Sequence, residues 1–254
     1  MAELPNRGYG NSAISLGRSA AVGIDEGLRS YMLRVYNYMA IGLGITGVVA
    51  FLTYQLATGQ TDTGAVGLTA FGLAIYTSPL KWVVLFAPLA MVFFISAKVP
   101  TMSVSGAQLA FWVFAALMGL SLSSIGLVYA QSSIARVFFV TAASFGALSL
   151  FGYTTKKDIS GWGSFLFMGL IGIILASVVN IFLASSALQF AVSVIGVLVF
   201  AGLTAYDTQQ IKEMYFEGDG EAVAGRKAIM GALRLYLDFI NLFMMLLSLF
   251  GNRE

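Results

Sequence analysis

The chain has 254 residues, 58% of them hydrophobic and only 10% charged, with a formal net charge of +2 and neither Cys nor His. It is far more apolar than a water-soluble domain, and its length holds about seven membrane spans of ~20 residues with no room for an extramembrane domain. The composition excludes disulfides, thiolate or imidazole metal sites and His-based catalysis, and the small net charge argues against nucleic acid. The predicted fold class is therefore all-α, a polytopic membrane protein of seven transmembrane helices.

Residues 1–33 are polar and carry Arg7, Arg18 and Arg29 with Asp25 and Glu26. They lack the apolar core of a signal peptide and read as a retained tail, partly disordered, ahead of a transmembrane domain over residues 34–254. Hydropathy then places spans near 36–57, 80–97, 107–129, 134–152, 162–183, 188–206 and 232–250. Residues 58–79 read as an interfacial loop, and Pro88 predicts a kink in the second span. Asn180 and Asn241 read as hydrogen-bond glue between helices. Residues 208–231, with Glu213, Glu217, Asp219, Glu221, Arg226 and Lys227, read as a polar loop.

Most Lys and Arg fall in the tail, the Lys98 turn, the Lys156-Lys157 loop and the loop before the seventh span. That distribution predicts a cytoplasmic N-terminus and a C-terminus on the opposite side.

Two aspartates stand out against this apolar background. Asp207 closes the sixth span in AGLTAYDTQQIK, and Asp238 lies within the seventh in LYLDFINLF. An ionised carboxylate there is costly unless it is protonated, paired or wetted. A short connection makes the two helices neighbours, so the acids can meet. Two carboxyls in a poorly hydrated space cannot both ionise cheaply, and either one proton is shared or a cation takes its place. Oxygen ligands suit a hard cation such as Ca²⁺. The competing reading is structural: Asp207 at a wet helix end beside Lys212, and Asp238 paired with Arg234 four residues earlier on the same face.

AYDTQQIK and LYLDFINLF, with the NIF at Asn180 to Phe182, resemble the Bax inhibitor-1 superfamily, in particular its bacterial YccA-type branch. The resemblance covers the whole membrane region. It implies a central helix wrapped by the other six, and a proton-sensing pair, Asp207 and Asp238, beside a closable pore that leaks Ca²⁺ in a pH-dependent way. It also implies a bacterial inner-membrane location and no cofactor. Some members latch one aspartate with an arginine at the end of the second span. Here ISAKVPTMS leaves Lys98 as the nearest candidate, and an ammonium cannot reproduce a bidentate guanidinium pair.

The resemblance supplies a second function, restraint of a membrane-anchored ATP-dependent protease, with the N-terminal tail as adaptor. Enzyme readings fit poorly. Asp238 lacks the glycine-flanked context of intramembrane aspartyl proteases, a rhomboid-type protease needs a histidine, and a retinal protein needs a lysine in the seventh span. The chain is read as a non-enzyme.

Overall fold

The computed structural model describes residues 11–60 and 66–253, with side chains described from residue 26 onward apart from residue 66. Eight helices dominate: α1 (Asn11–Ala57), α2 (Ala70–Tyr76), α3 (Leu80–Lys98), α4 (Val104–Leu122), α5 (Gln131–Thr154), α6 (Trp162–Leu183), α7 (Ser186–Glu213) and α8 (Glu221–Phe250). Seven of them, all except α2, are long and apolar enough to cross a membrane, and the fold is an all-α polytopic membrane bundle.

The bundle is built around α8. Its side chains supply much of the core, with Leu235, Tyr236, Leu242 and Leu247 fully covered. Around it α7, α1, α5 and α4 pack directly, while α3 leans chiefly on α4, and α6 on α7. The outer helices thus form an arc, α3, α4, α1, α5, α7, α6, whose two ends do not pack substantially on each other. Apolar burial drives little association inside lipid, so close packing and hydrogen bonds must hold such a bundle. The Tyr236 ring meets Phe111 and Phe114 edge-on, at 5.9 and 5.1 Å between centroids. Its hydroxyl lies 2.6 Å from Thr46 Oγ1, which is itself 2.8 Å from the carbonyl oxygen of Ala115. One buried contact set therefore ties α8 to both α1 and α4.

Several sequence expectations change. α1 runs from Asn11 to Ala57, so residue 33, where the sequence reading ends the tail, lies within a continuous helix. Residues 1–10 of the expected tail, and with them part of the proposed adaptor, lie outside the described residues. Residues 58–79 hold a two-stranded antiparallel hairpin, β1 (Thr58–Gln60) with β2 (Val66–Leu68), and then α2, whose start is capped by Thr69 Oγ1 accepting from Gly72 N–H. α3 runs uninterrupted through Pro88. The loop expected over 208–231 shrinks to 214–220, because α7 continues to Glu213 and α8 begins at Glu221. Side chains hold these polar extensions: Lys212 Nζ donates to the carbonyl of Tyr153, and Lys227 Nζ to that of Met214 and to the carboxylate of Asp219. Neither amide bridges helices. Asn180 Oδ1 accepts from Ser185 N–H, closing the turn after left-handed Ala184, and Asn241 Nδ2 donates to Leu237 of its own helix.

Candidate functional site

The α7 and α8 pair places the acids. Four contacts fix an antiparallel register: Ser193 with Ser248, Gly196 with Met245, Ile211 with Gly231, and the Met214 carbonyl with Lys227. In that register Asp207 lies level with Arg234, and Asp238 lies level with Leu203, about 6 Å further from the α7–α8 loop at ~1.5 Å per residue. Asp207 is therefore a full turn and more inside α7 rather than at its end.

Both carboxyls line one cavity of about 660 Å³ between α6, α7 and α8, together with Ser160, Ser164, Tyr206 and Arg234. The two acids are near enough to interact directly. Asp238 is 5% exposed, and its Oδ2 is buried without a hydrogen-bond partner. Arg234 is exposed along the same wall. Among the described residues the single ion pair within 4.0 Å is Lys227 with Asp219, so the structural pairings weighed from sequence, Arg234 with Asp238 and Lys212 with Asp207, are not formed. Lys98 is exposed at the end of α3 and is not part of the cavity lining.

The two residues that follow Asp207 tie α7 to its neighbours. Thr208 donates to the carbonyl of Thr204 at 2.7 Å. With that proton committed, Ser149 must donate to Thr208 Oγ1 at 2.9 Å, and Tyr36 to Ser149 at 2.7 Å. The result is a one-way hydroxyl chain from α1 through α5 to α7, ending on the Thr204 carbonyl. Gln209, 4% exposed, accepts from Ile159 N–H at 3.0 Å and donates to the Lys157 carbonyl at 2.9 Å. It pins residues 155–161, which carry Ser160 to the cavity mouth. α5 and α7 approach closely at Gly152, where an added Cβ would lie 2.2 Å from the Ala205 carbonyl oxygen. Ser149, Thr208 and Gln209 were given no role from sequence, although uncharged polar residues inside otherwise apolar spans were a visible signal.

Comparison with known proteins decides the family. Residues 28–254 match the family described as "Inhibitor of apoptosis-promoting Bax1". The chain belongs to the Bax1 inhibitor family. Within it, the chain is 48% identical to "Inner membrane protein YbhL" of Escherichia coli strain K12 over 230 residues, 90% of this chain and 94% of that protein. It is 47% identical to an uncharacterized protein of Caulobacter vibrioides over 251 residues, 98% of each, and 47% identical to "Uncharacterized protein RP147" of Rickettsia prowazekii over 91% of this chain and 92% of that one. The Bax1 inhibitor match takes in every span and both aspartate segments, in agreement with the resemblance read from AYDTQQIK and LYLDFINLF.

Proposed function

We propose that this Bax1 inhibitor family member is a proton-sensitive cation leak of the inner membrane, passing Ca²⁺ past Asp207 and Asp238. The observation that carries the reading is the unpartnered Oδ2 of Asp238, buried a turn from a second carboxyl in the same cavity. A buried carboxyl oxygen without a donor is expensive, and a proton or a cation held jointly with Asp207 supplies the missing partner. The groups there that can ligate a cation present oxygens, two carboxyls, the hydroxyls of Ser160 and Ser164, and the Tyr206 phenol, while the Arg234 guanidinium stands in the same lining as a fixed positive charge. That chemistry suits a hard divalent cation.

Protons and Ca²⁺ compete for the same oxygens in this scheme. As pH falls through the titration of the pair, the Ca²⁺ concentration giving half-maximal flux rises by up to about tenfold per pH unit for each proton displaced. Purified protein in liposomes, assayed from pH 5 to 8, is expected to show this dependence. Asp207→Asn and Asp238→Asn each flatten it. Flux through Asp238→Asn with the wild-type pH profile refutes the reading.

The α7–α8 loop end, rich in Lys and Arg, is assigned to the cytoplasmic side. The chain has no Cys, so single cysteines placed at Lys156 and Lys81 test this cleanly: only the second should react with an impermeant thiol reagent added from outside the cell.

A further inference from the structure

The cavity that holds the acids carries both signs of charge, sorted along its depth. Gly163 of α6 lies against the Tyr206 hydroxyl, which a Cβ there would approach to 2.6 Å, so the first turn of α6 is level with Tyr206 and, by the α7–α8 register, with Arg234. At this end, nearer the α7–α8 loop, the lining offers groups that donate: the Arg234 guanidinium, the Ser164 hydroxyl and the Tyr206 phenol. Further in it offers acceptors. Asp238 presents its unpartnered Oδ2, and Asp207 is close enough to share that charge. Asn241 commits its Nδ2 to the Leu237 carbonyl at 2.8 Å, which leaves its amide oxygen to accept.

Neither sign is neutralised by an ion pair. Among the described residues Arg234 pairs with neither Asp207 nor Asp238 within 4.0 Å, although it shares a helix face with Asp238. Of the acids at this end but outside the lining, Asp158 accepts from Ser160 N–H at 2.8 Å, Glu213 from Gln210 Nε2 at 3.1 Å, and Asp219 from Lys227. Glu26, Glu217 and Glu221 are exposed. With one proton shared between Asp207 and Asp238, the lining holds one negative and one positive charge. A lone cation gains from the first and is repelled by the second, whereas a molecule carrying both signs gains from each. The rest of the wall is apolar, formed by Phe167, Leu170, Phe200, Leu203 and Leu237. Its volume of about 660 Å³ lies within the range of about 300–1,000 Å³ that encloses small organic molecules between helices.

We propose that this cavity binds a zwitterionic α-amino acid with an apolar side chain, its ammonium on Asp238 and its carboxylate on Arg234. The orphaned Asp238 oxygen requires an N–H or O–H donor, which a primary ammonium has and a quaternary one lacks. Asp238 and Arg234 stand side by side, four residues apart on one helix, which fits charges on neighbouring atoms rather than at the two ends of a long chain. The apolar wall takes the side chain. The site stands on the cavity alone and does not depend on ion passage; an occupant covers Asp238, so it and Ca²⁺ exclude one another.

The test is binding of tritiated leucine to purified full-length protein by scintillation proximity, with unlabelled compounds as competitors. On wild type, leucine should compete at least about tenfold better than isoamylamine, which lacks the carboxylate, and than isocaproate, which lacks the ammonium; tenfold is the worth of one hydrogen bond to a charged group. This comparison needs no variant and is free of folding effects. Arg234→Gln should remove the advantage of leucine over isoamylamine and keep that over isocaproate, and Asp238→Asn should do the reverse. Absence of saturable binding at millimolar leucine, or either single-charge analogue competing as well as leucine on wild type, overturns the proposal.

Discussion

Gln209→Met is the sharpest test of how the site is held. Methionine has nearly the same length and volume but can neither donate nor accept as the amide does, so packing is kept while two hydrogen bonds are removed. Ile159 is 3% exposed, so its N–H is left buried and unsatisfied, at a cost of about 1–3 kcal/mol. The carbonyl of exposed Lys157 can turn to water, and losing that bond costs about 0.5–1.5 kcal/mol. The sum is roughly 3 kcal/mol, and at about 2–4 °C per kcal/mol for a chain of this size the melting temperature should fall by roughly 6–12 °C. Intrinsic tryptophan fluorescence on heating is a suitable assay, since Trp162 sits at the start of α6 beside the pinned loop. Gln210→Met is the control. Its amide makes only longer, exposed contacts to Ser160 and Glu213, so its effect should stay within about 0.5 kcal/mol. Equal melting temperatures for the two variants would refute the pinning role of Gln209.

Other predictions follow from neighbouring features. Gly152→Ala must push α5 off α7 by about an ångström and should cost about 1–3 kcal/mol, while Gly146→Ala on the same helix meets no atom within 4 Å and should gain up to about 1 kcal/mol; thermal melts of the pair separate contact from propensity. If the hydroxyl chain acts as a unit, Tyr36→Phe and Thr208→Val should each destabilise wild type, but their effects should shrink in a Ser149→Ala background, with a coupling of about 0.5 kcal/mol or more in a double-mutant cycle. Asp158 lies outside the spans, and hydrogen bonds from Ser160 hold its carboxyl below the usual range. A depressed folded value stabilises at pH above the unfolded value of about 3.9 and is lost as pH falls through the folded one, so melts of wild type and Asp158→Asn should converge on acidification below about pH 4.

The sequence made the number of spans readable because lipid-facing and core positions alike are apolar, and hydropathy needs nothing more. It could not place the ends of α7 and α8. Residues 208–213 and 221–231 are polar enough to look like a loop, yet they stay helical through bonds from Lys212 and Lys227 to distant carbonyls. The same error put Asp207 at a helix end. The two acids were visible as charges in apolar surroundings, and their sharing of one cavity followed from the short connection between their helices. Gln209 escaped notice because its partners, Lys157 and Ile159, lie in a loop whose position no local pattern encodes.

The register of α7 on α8 limits how this protein can move. Ile211 projects from one helix into the notch at Gly231, and Met245 projects from the other into the notch at Gly196. Two pegs set in opposite directions act as a keyway, and sliding either helix along its axis would drive a side chain into a backbone that has no hollow to receive it. A piston stroke is thereby blocked, and any motion that separates the carboxyls has to be a roll of α8 or a sideways parting of α6 and α7 from it.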